Sequence, residues 1–114
     1  LTDRTYRFFV SEIIRGKILN LYQKEVPYSV EVVVDEFKEE PEITRIRALI
    51  FVARESQRII LIGHKGNMIK KLGIEARKEI ESFLQQKVYL ELTVKVDKDW
   101  RDSEQALKRF GYII

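Results

Sequence analysis

The sequence predicts a single α+β domain in which helices cover one face of a three-stranded sheet. Two observations predict this class. Segments with apolar residues three and four apart, typical of helices, alternate with segments in which every second residue is apolar, typical of strands. The 114 residues, 45% of them hydrophobic, suffice for one modest core but not for two domains. The strands must bury one apolar face of their sheet, and the helices carry apolar stripes that can pack against it.

The first predicted helix spans residues 3–22, with Thr2 or Asp3 as its N-cap. Its apolar residues recur at helical spacing and predict a buried stripe of Tyr6, Phe9, Val10, Ile13, Ile14, Ile18 and Leu21. Basic residues on the same helix leave peripheral membrane contact as the alternative to core packing, which is the favoured interpretation. A membrane span is not expected, because the longest apolar run, residues 48–53, is far shorter than the roughly 20 residues required.

Two strands and a turn follow this helix. Pro27 ends the helical pattern, and Val30, Val32 and Val34 then alternate with polar residues as in a half-buried strand. The acidic residues 38–42 predict an exposed turn. Residues 45–52 predict a second strand, so that the pair forms a hairpin.

The second half of the chain predicts two helices, a strand and a last short helix. Ser56 would cap a helix ending near Ile62, and a longer helix would run over residues 67–85. The buried stripe of this longer helix would comprise Ile69, Leu72, Ala76, Ile80 and Phe83. Close packing against a neighbour would explain Gly73 inside the helix.

Strict alternation over residues 88–96 predicts the third strand, with one face exposed to solvent. Trp100 is predicted to be a buried anchor for the last helix, in preference to a platform for stacking bases. That helix would begin at Asp102 and end at Gly111, and it would bury Ala106, Leu107 and Phe110.

Charge is distributed unevenly although the formal net charge is only +3. Residues 29–42 contain six acidic residues and one lysine, whereas residues 54–78 contain seven basic and two acidic residues. A charged run by itself usually forms a solvated face. The basic run also contains a motif, and this makes it the candidate binding surface.

The motif is the loop Gly63-His64-Lys65-Gly66 between the two central helices. Glycines can adopt backbone angles closed to other residues and allow a sugar-phosphate chain to approach closely. His64 and Lys65 project between them, and the amides that start the next helix at Asn67 add donors and a positive dipole end. These features predict a cradle for phosphate groups.

An apolar groove is expected beside the cradle, where unpaired bases could lie. Its walls would be Ile62, Ile69 and Leu72, and Lys70 and Lys71 would add affinity. The predicted nucleic-acid-binding set is therefore Ile62, Gly63, His64, Lys65, Gly66, Asn67, Ile69, Lys70, Lys71 and Leu72.

The string over residues 59–69, an aliphatic run into Gly-x-x-Gly followed by Ile, resembles the signature of K-homology (KH) domains. In that family the loop clamps about four single-stranded nucleotides. The order of elements, with a helix and two strands before the loop, resembles the type II arrangement.

The resemblance extends over nearly the whole chain to the C-terminal domain of Era-family bacterial GTPases. The segments that carry it are residues 7–15, 26–30, 75–77, 87–92, 94–96, 99–101 and 111–112. It implies a cytoplasmic protein in which this domain follows an N-terminal GTPase domain. The domain would bind 16S ribosomal RNA near its 3′ end during assembly of the small ribosomal subunit. It also implies, together with the missing initiator Met, that the chain is a piece of a longer protein.

No catalytic residue, metal site or cofactor is predicted. The chain has no Cys and one His, so neither a zinc site nor a Ser–His or Cys–His pair has its usual residues. It also lacks the G-x-x-x-x-G-K-[ST] segment that holds nucleotide phosphates, so GTP and Mg²⁺ would belong to the implied N-terminal domain. The alternative function is a protein-interaction domain whose basic residues meet an acidic partner.

Overall fold

Three helices and three strands occur in the predicted order within residues 2–22 and 30–97, the part of the chain that the computed structural model describes. The elements are α1 (Asp3–Leu21), β1 (Val30–Glu39), β2 (Thr44–Val52), α2 (Glu55–Ile62), a 3₁₀ turn (His64–Gly66), α3 (Asn67–Leu84) and β3 (Val88–Val96). Pro27, Trp100 and the helix predicted from Asp102 lie outside the described residues.

The sheet has the order β1-β2-β3, with β2 in the centre. β1 and β2 pair antiparallel, with Val30 opposite Val52, which confirms the predicted hairpin. β2 and β3 pair parallel, with Thr44 opposite Val88. Parallel neighbours require a crossover connection. Here α2, the 3₁₀ turn and α3 form that crossover, and the Gly63–Gly66 loop lies in the middle of it.

The core lies between the helices and one face of the sheet, which confirms the predicted α+β class. All three helices and all three strands contribute to it. Its fully buried members include Val10, Ile14 and Ile18 of α1, Ile46, Ala48, Ile50 and Val52 of β2, Leu61 of α2, and Leu72, Ala76 and Ile80 of α3.

The apolar stripe of α1 is buried as predicted, except at its edge. Thr2 caps the helix, because its hydroxyl oxygen accepts a hydrogen bond from the Thr5 amide at 3.1 Å. Phe9, however, is 41% exposed and contacts Phe83, itself 38% exposed, with 5.5 Å between the ring centroids. The burial predicted for both rings was wrong, since only the centre of each stripe faces the sheet.

No helix in the described part of the chain could span a membrane.

β1 is longer than the alternation predicts, because of a β-bulge. The pairing with β2 shifts register between Val34 and Glu36. The extra residue shifts the alternation by one position, so that Phe37, directly after Asp35 and Glu36, is buried on the core side together with Val34. The strand therefore continues to Glu39, and the turn predicted over residues 38–42 begins two residues later.

α2 begins one residue before its predicted cap. Its N-cap is Arg54, and Ser56 lies exposed in the first turn, so the cap assignment was wrong. The buried side chain of Gln57 instead forms hydrogen bonds with the backbone at the N-terminal end of the helix. Its Oε1 accepts hydrogen bonds from the amides of Ala53 at 3.1 Å and Arg54 at 3.0 Å.

Candidate nucleic-acid interface

The Gly63–Gly66 loop has a backbone that depends on its two glycines. Gly63 has φ 77° and ψ 178°, a region that essentially only glycine occupies, and Gly66 has φ 78° and ψ 12°. Lys65 between them is also left-handed, with φ 55°. A hydrogen bond from the Gly66 amide to the Gly63 carbonyl closes the turn at 3.2 Å. The loop is therefore a defined turn and not simply the end of a helix.

The two glycines differ in the space around them. A Cβ atom on Gly63 would lie 2.6 Å from Cγ and 2.9 Å from the backbone nitrogen of Met68, which is too close for any real Cβ. A Cβ atom on Gly66 would meet nothing within 4 Å. Gly63 is thus required both by its angles and by its close contact with α3, whereas Gly66 is required by its angles alone.

The side chains between the glycines point to solvent. His64 and Lys65 are both exposed, as predicted for a cradle. The amide of Asn67, in contrast, already donates to the carbonyl of His64. It is therefore not free to bind an anion in this conformation, so Asn67 does not contribute its own amide to the donors predicted at the start of α3.

Positive charge is concentrated beside the loop. Three basic residues of the run over 54–78 have nearby acidic partners: Arg58 pairs with Glu55 at 2.6 Å, Arg77 with Glu81 at 3.3 Å and Lys78 with Glu75 at 3.7 Å. Lys65, Lys70 and Lys71 form no salt bridge with any residue in the described ranges, and all three are exposed. These three lysines leave uncompensated charge at the loop and the first turn of α3.

Two of the six acidic residues in the run over residues 29–42 form salt bridges within the described part of the chain. Asp35 accepts from Arg47 at 3.0 Å, and Glu40 accepts from Arg45 at 3.0 Å. This arrangement matches the solvated face that a charged run usually forms. Asp35 and Glu40 therefore have a local structural explanation.

An apolar groove of about 330 Å³ lies between α3 and the edge strand β3. It begins at the first turn of α3, directly after the loop. Its lining residues are Ile69, Lys70, Gly73, Ile74, Arg77, Leu90 and Leu92.

Only part of the predicted groove set lines this groove. Of the three predicted walls, Ile69 lines it, whereas Ile62 does not and is half-buried at the end of α2. Lys70, which was predicted to add affinity, also lines the groove. Leu72 is fully buried in the core, so it supports α3 from beneath and is not expected to touch a base. Lys71 lies on α3 outside the lining of the groove.

Several lining residues were missed by the sequence reasoning. Leu90 and Leu92 were assigned to the buried face of a strand, and both are only partly buried because β3 is an edge strand. Ile74, 39% exposed, falls outside the predicted core stripe, and this offset was the available signal that α3 has a second apolar surface.

Gly73 lies in the groove wall, and its neighbours are not close. A Cβ atom there would meet Leu92 Cδ1 at 3.9 Å, an ordinary contact, so the close packing predicted for this glycine was wrong. We expect Gly73→Ala to raise the free energy of unfolding by about 0.5–1 kcal/mol, because alanine is the better helix former. Its methyl group would project towards Leu92 and narrow the groove.

The same substitution should therefore separate stability from binding. Urea denaturation of Gly73→Ala would measure the gain in the free energy of unfolding. RNA titration would measure how far the narrower groove weakens binding. A tighter-binding, more stable variant would show that bases do not lie beside Gly73.

Within the described ranges, no group of three His, Asp or Glu side chains is arranged to hold a metal ion. The site combines a turn with left-handed backbone, exposed basic side chains and an adjoining apolar groove. These are the components needed to hold a phosphate backbone on one side and unpaired bases on the other.

The protein-family model described as "KH domain" matches residues 25–101. Curated relatives named GTPase Era are 51% identical in Halothermothrix orenii and 53% identical in Geotalea uraniireducens, each over 113 residues. Both alignments cover 98% of this chain. The chain spans only 38% of the length of these relatives.

Two solved structures are similar to the chain at a TM-score of 0.83 and 40% sequence identity. One is Era in complex with MgGDPNP and nucleotides 1506–1542 of 16S ribosomal RNA, and the other is a variant of Aquifex aeolicus Era bound to GDP·AlF₄⁻. The similarity covers 95% of this chain and 37% of each of those chains.

Proposed function

Because this chain belongs to the KH domain family, we propose that it is a non-catalytic RNA-binding domain that clamps single-stranded RNA through the Gly63–Gly66 loop. The observation that carries the proposal is the continuity of the loop with an apolar groove and with lysines that form no salt bridge among residues 2–22 and 30–97. The turn and Lys65 would hold the phosphates, and Lys70 would extend the basic surface along α3. The groove beside Ile69 would receive the bases.

The identity of the RNA is the finer part of the proposal. We propose that the target is 16S ribosomal RNA near its 3′ end, bound in the cytoplasm during assembly of the small ribosomal subunit. The 40% identity to Era, whose structure was solved with nucleotides 1506–1542 of that RNA, supports this choice. The basic surface beside the loop agrees with a polyanionic target.

We also propose that the chain acts as part of a longer Era-type GTPase. Its 51% identity over 113 residues to a protein named GTPase Era supports this. In such a protein, an N-terminal GTPase domain would bind GTP and Mg²⁺. The 114 residues themselves contain no phosphate-binding loop motif, so no step of GTP hydrolysis is assigned to them.

The proposal predicts a specific dependence of RNA affinity on salt. If the clamp neutralises about three phosphates, the logarithm of the association constant should fall with the logarithm of salt concentration with a slope near −2, at about −0.7 per phosphate. Fluorescence anisotropy with an RNA of nucleotides 1506–1542 would measure the slope. Lys70→Gln should make it shallower by about 0.7, because one contact is lost.

The acidic-partner function makes a different prediction in the same assay. A surface that recognises acidic proteins has no groove contacts with bases, so a poly-glutamate peptide should compete with RNA at equal charge concentration. Failure of poly-glutamate to displace the RNA, together with a salt slope near −2, would exclude this alternative. Competition at equal charge would instead favour it.

A further inference from the structure

The C-terminal end of α2 is held by a side chain from α1. The hydroxyl group of Tyr22 donates a hydrogen bond to the carbonyl oxygen of Leu61 at 2.6 Å. Tyr22 is 5% exposed and Leu61 is 0% exposed, so the bond is shielded from water. It joins residues 39 positions apart in the sequence.

The carbonyl group of Leu61 needs a partner from outside its helix. The last four carbonyl groups of a helix have no amide donor within it. α2 ends at Ile62, and the following amide, that of Gly63, donates to the carbonyl of Ile59 at 2.9 Å. A buried carbonyl without a donor is costly. Tyr22 supplies the donor that the break at Gly63 removes.

We propose that Tyr22 is a positioning residue for the clamp. Its hydroxyl group fixes the last turn of α2 and thereby the direction in which the chain enters Gly63, two residues after Leu61. The expected effect of Tyr22 on RNA affinity rests on the proposed function, whereas its expected effect on the conformation of the loop does not.

Tyr22 is well suited to act as a fixed point. Its own amide donates to the carbonyl of Ile18 at 3.0 Å, and it forms the C-cap of α1. Removal from water raises the pKa of Tyr22 to about 12, so the hydroxyl keeps its proton throughout the neutral range. The donor is therefore constant, and only its removal by substitution should loosen the loop.

Tyr22→Phe removes the hydroxyl group and retains the ring, and the chain offers a matched control. Thr44 is 1% exposed, and its hydroxyl group donates to Gln86 Oε1 at 2.7 Å. Gln86 lies two residues after the end of α3, and the 18 residues of that helix place its end roughly 25 Å along the helix axis from the Gly63–Gly66 loop. Thr44→Val therefore removes a hydroxyl hydrogen bond that is partly buried and lies at the far end of α3 from the clamp.

Hydrogen exchange of the amides of Gly63 and Gly66 would be measured by NMR in the 114-residue chain and both variants. These amides report the loop directly, because they donate to Ile59 and to the carbonyl of Gly63. We expect about tenfold faster exchange in Tyr22→Phe and no change in Thr44→Val, after correction for global unfolding. RNA affinity should fall by about tenfold in Tyr22→Phe only.

The outcomes separate the two proposals. Wild-type exchange at both loop amides in Tyr22→Phe, or equal acceleration in Thr44→Val, would overturn the positioning role. If the wild-type chain binds no RNA although Tyr22→Phe accelerates loop exchange, then the proposed function fails and the positioning role stands. Loss of affinity without faster loop exchange would also count against positioning through Leu61.

Discussion

Gly63→Ala is expected to lower the free energy of unfolding by about 3 kcal/mol and to weaken RNA binding more than any other single substitution in the loop. Two costs combine at this position. Alanine must adopt φ 77° and ψ 178°, which costs about 1–3 kcal/mol. Its Cβ must also lie 2.9 Å from the Met68 backbone nitrogen, so the start of α3 has to shift.

Gly66→Ala is the matched control for this prediction. Its backbone, with φ 78°, is also left-handed, but its Cβ would lie in open space. Only the backbone cost remains, about 1–2 kcal/mol. Urea denaturation of both variants measures the difference between their free energies of unfolding. Equal destabilisation by the two substitutions would mean that the contact between Gly63 and Met68 adds nothing to the requirement for glycine.

The double substitution His64→Asp with Lys65→Asp is expected to abolish RNA binding and to leave stability nearly unchanged. Both side chains are exposed, so their replacement removes no core contact. Aspartate tolerates the left-handed conformation that Lys65 adopts at φ 55°. The new carboxylates would face the phosphate groups. Anisotropy titration should show at least a hundredfold loss of affinity, and thermal unfolding should show little change.

A control with the same change in formal charge tests whether position or total charge is responsible. Ser82→Asp with Lys87→Asp places the charges on two exposed residues near the other end of α3. Ser82 is 15 residues after Asn67, about 22 Å along the helix. This variant should keep most of the affinity. An equal loss in both double variants would indicate a diffuse electrostatic attraction without a clamp.

The sequence by itself determined the class of fold and the location of the loop. The third strand over Val88–Val96 and the start of α3 at Asn67 were predicted to the residue, because strict alternation and a glycine before a helical stripe are local signals. The Gly-x-x-Gly spacing likewise located the turn, since its left-handed angles are a property of those residues and their immediate neighbours.

The tertiary structure decided which apolar residues are buried and which surfaces are open. Leu72 and Ile74 are two residues apart on α3, yet one is fully buried and the other is 39% exposed, because only one faces the sheet. Leu90 and Leu92 line the groove because β3 is at the edge of the sheet, and strand order depends on pairing between distant segments. The hydrogen bond from Tyr22 to Leu61 joins residues 39 positions apart, and no local periodicity in the sequence could predict it. Local patterns fix backbone conformation, whereas the partners of each side chain depend on how the elements pack together.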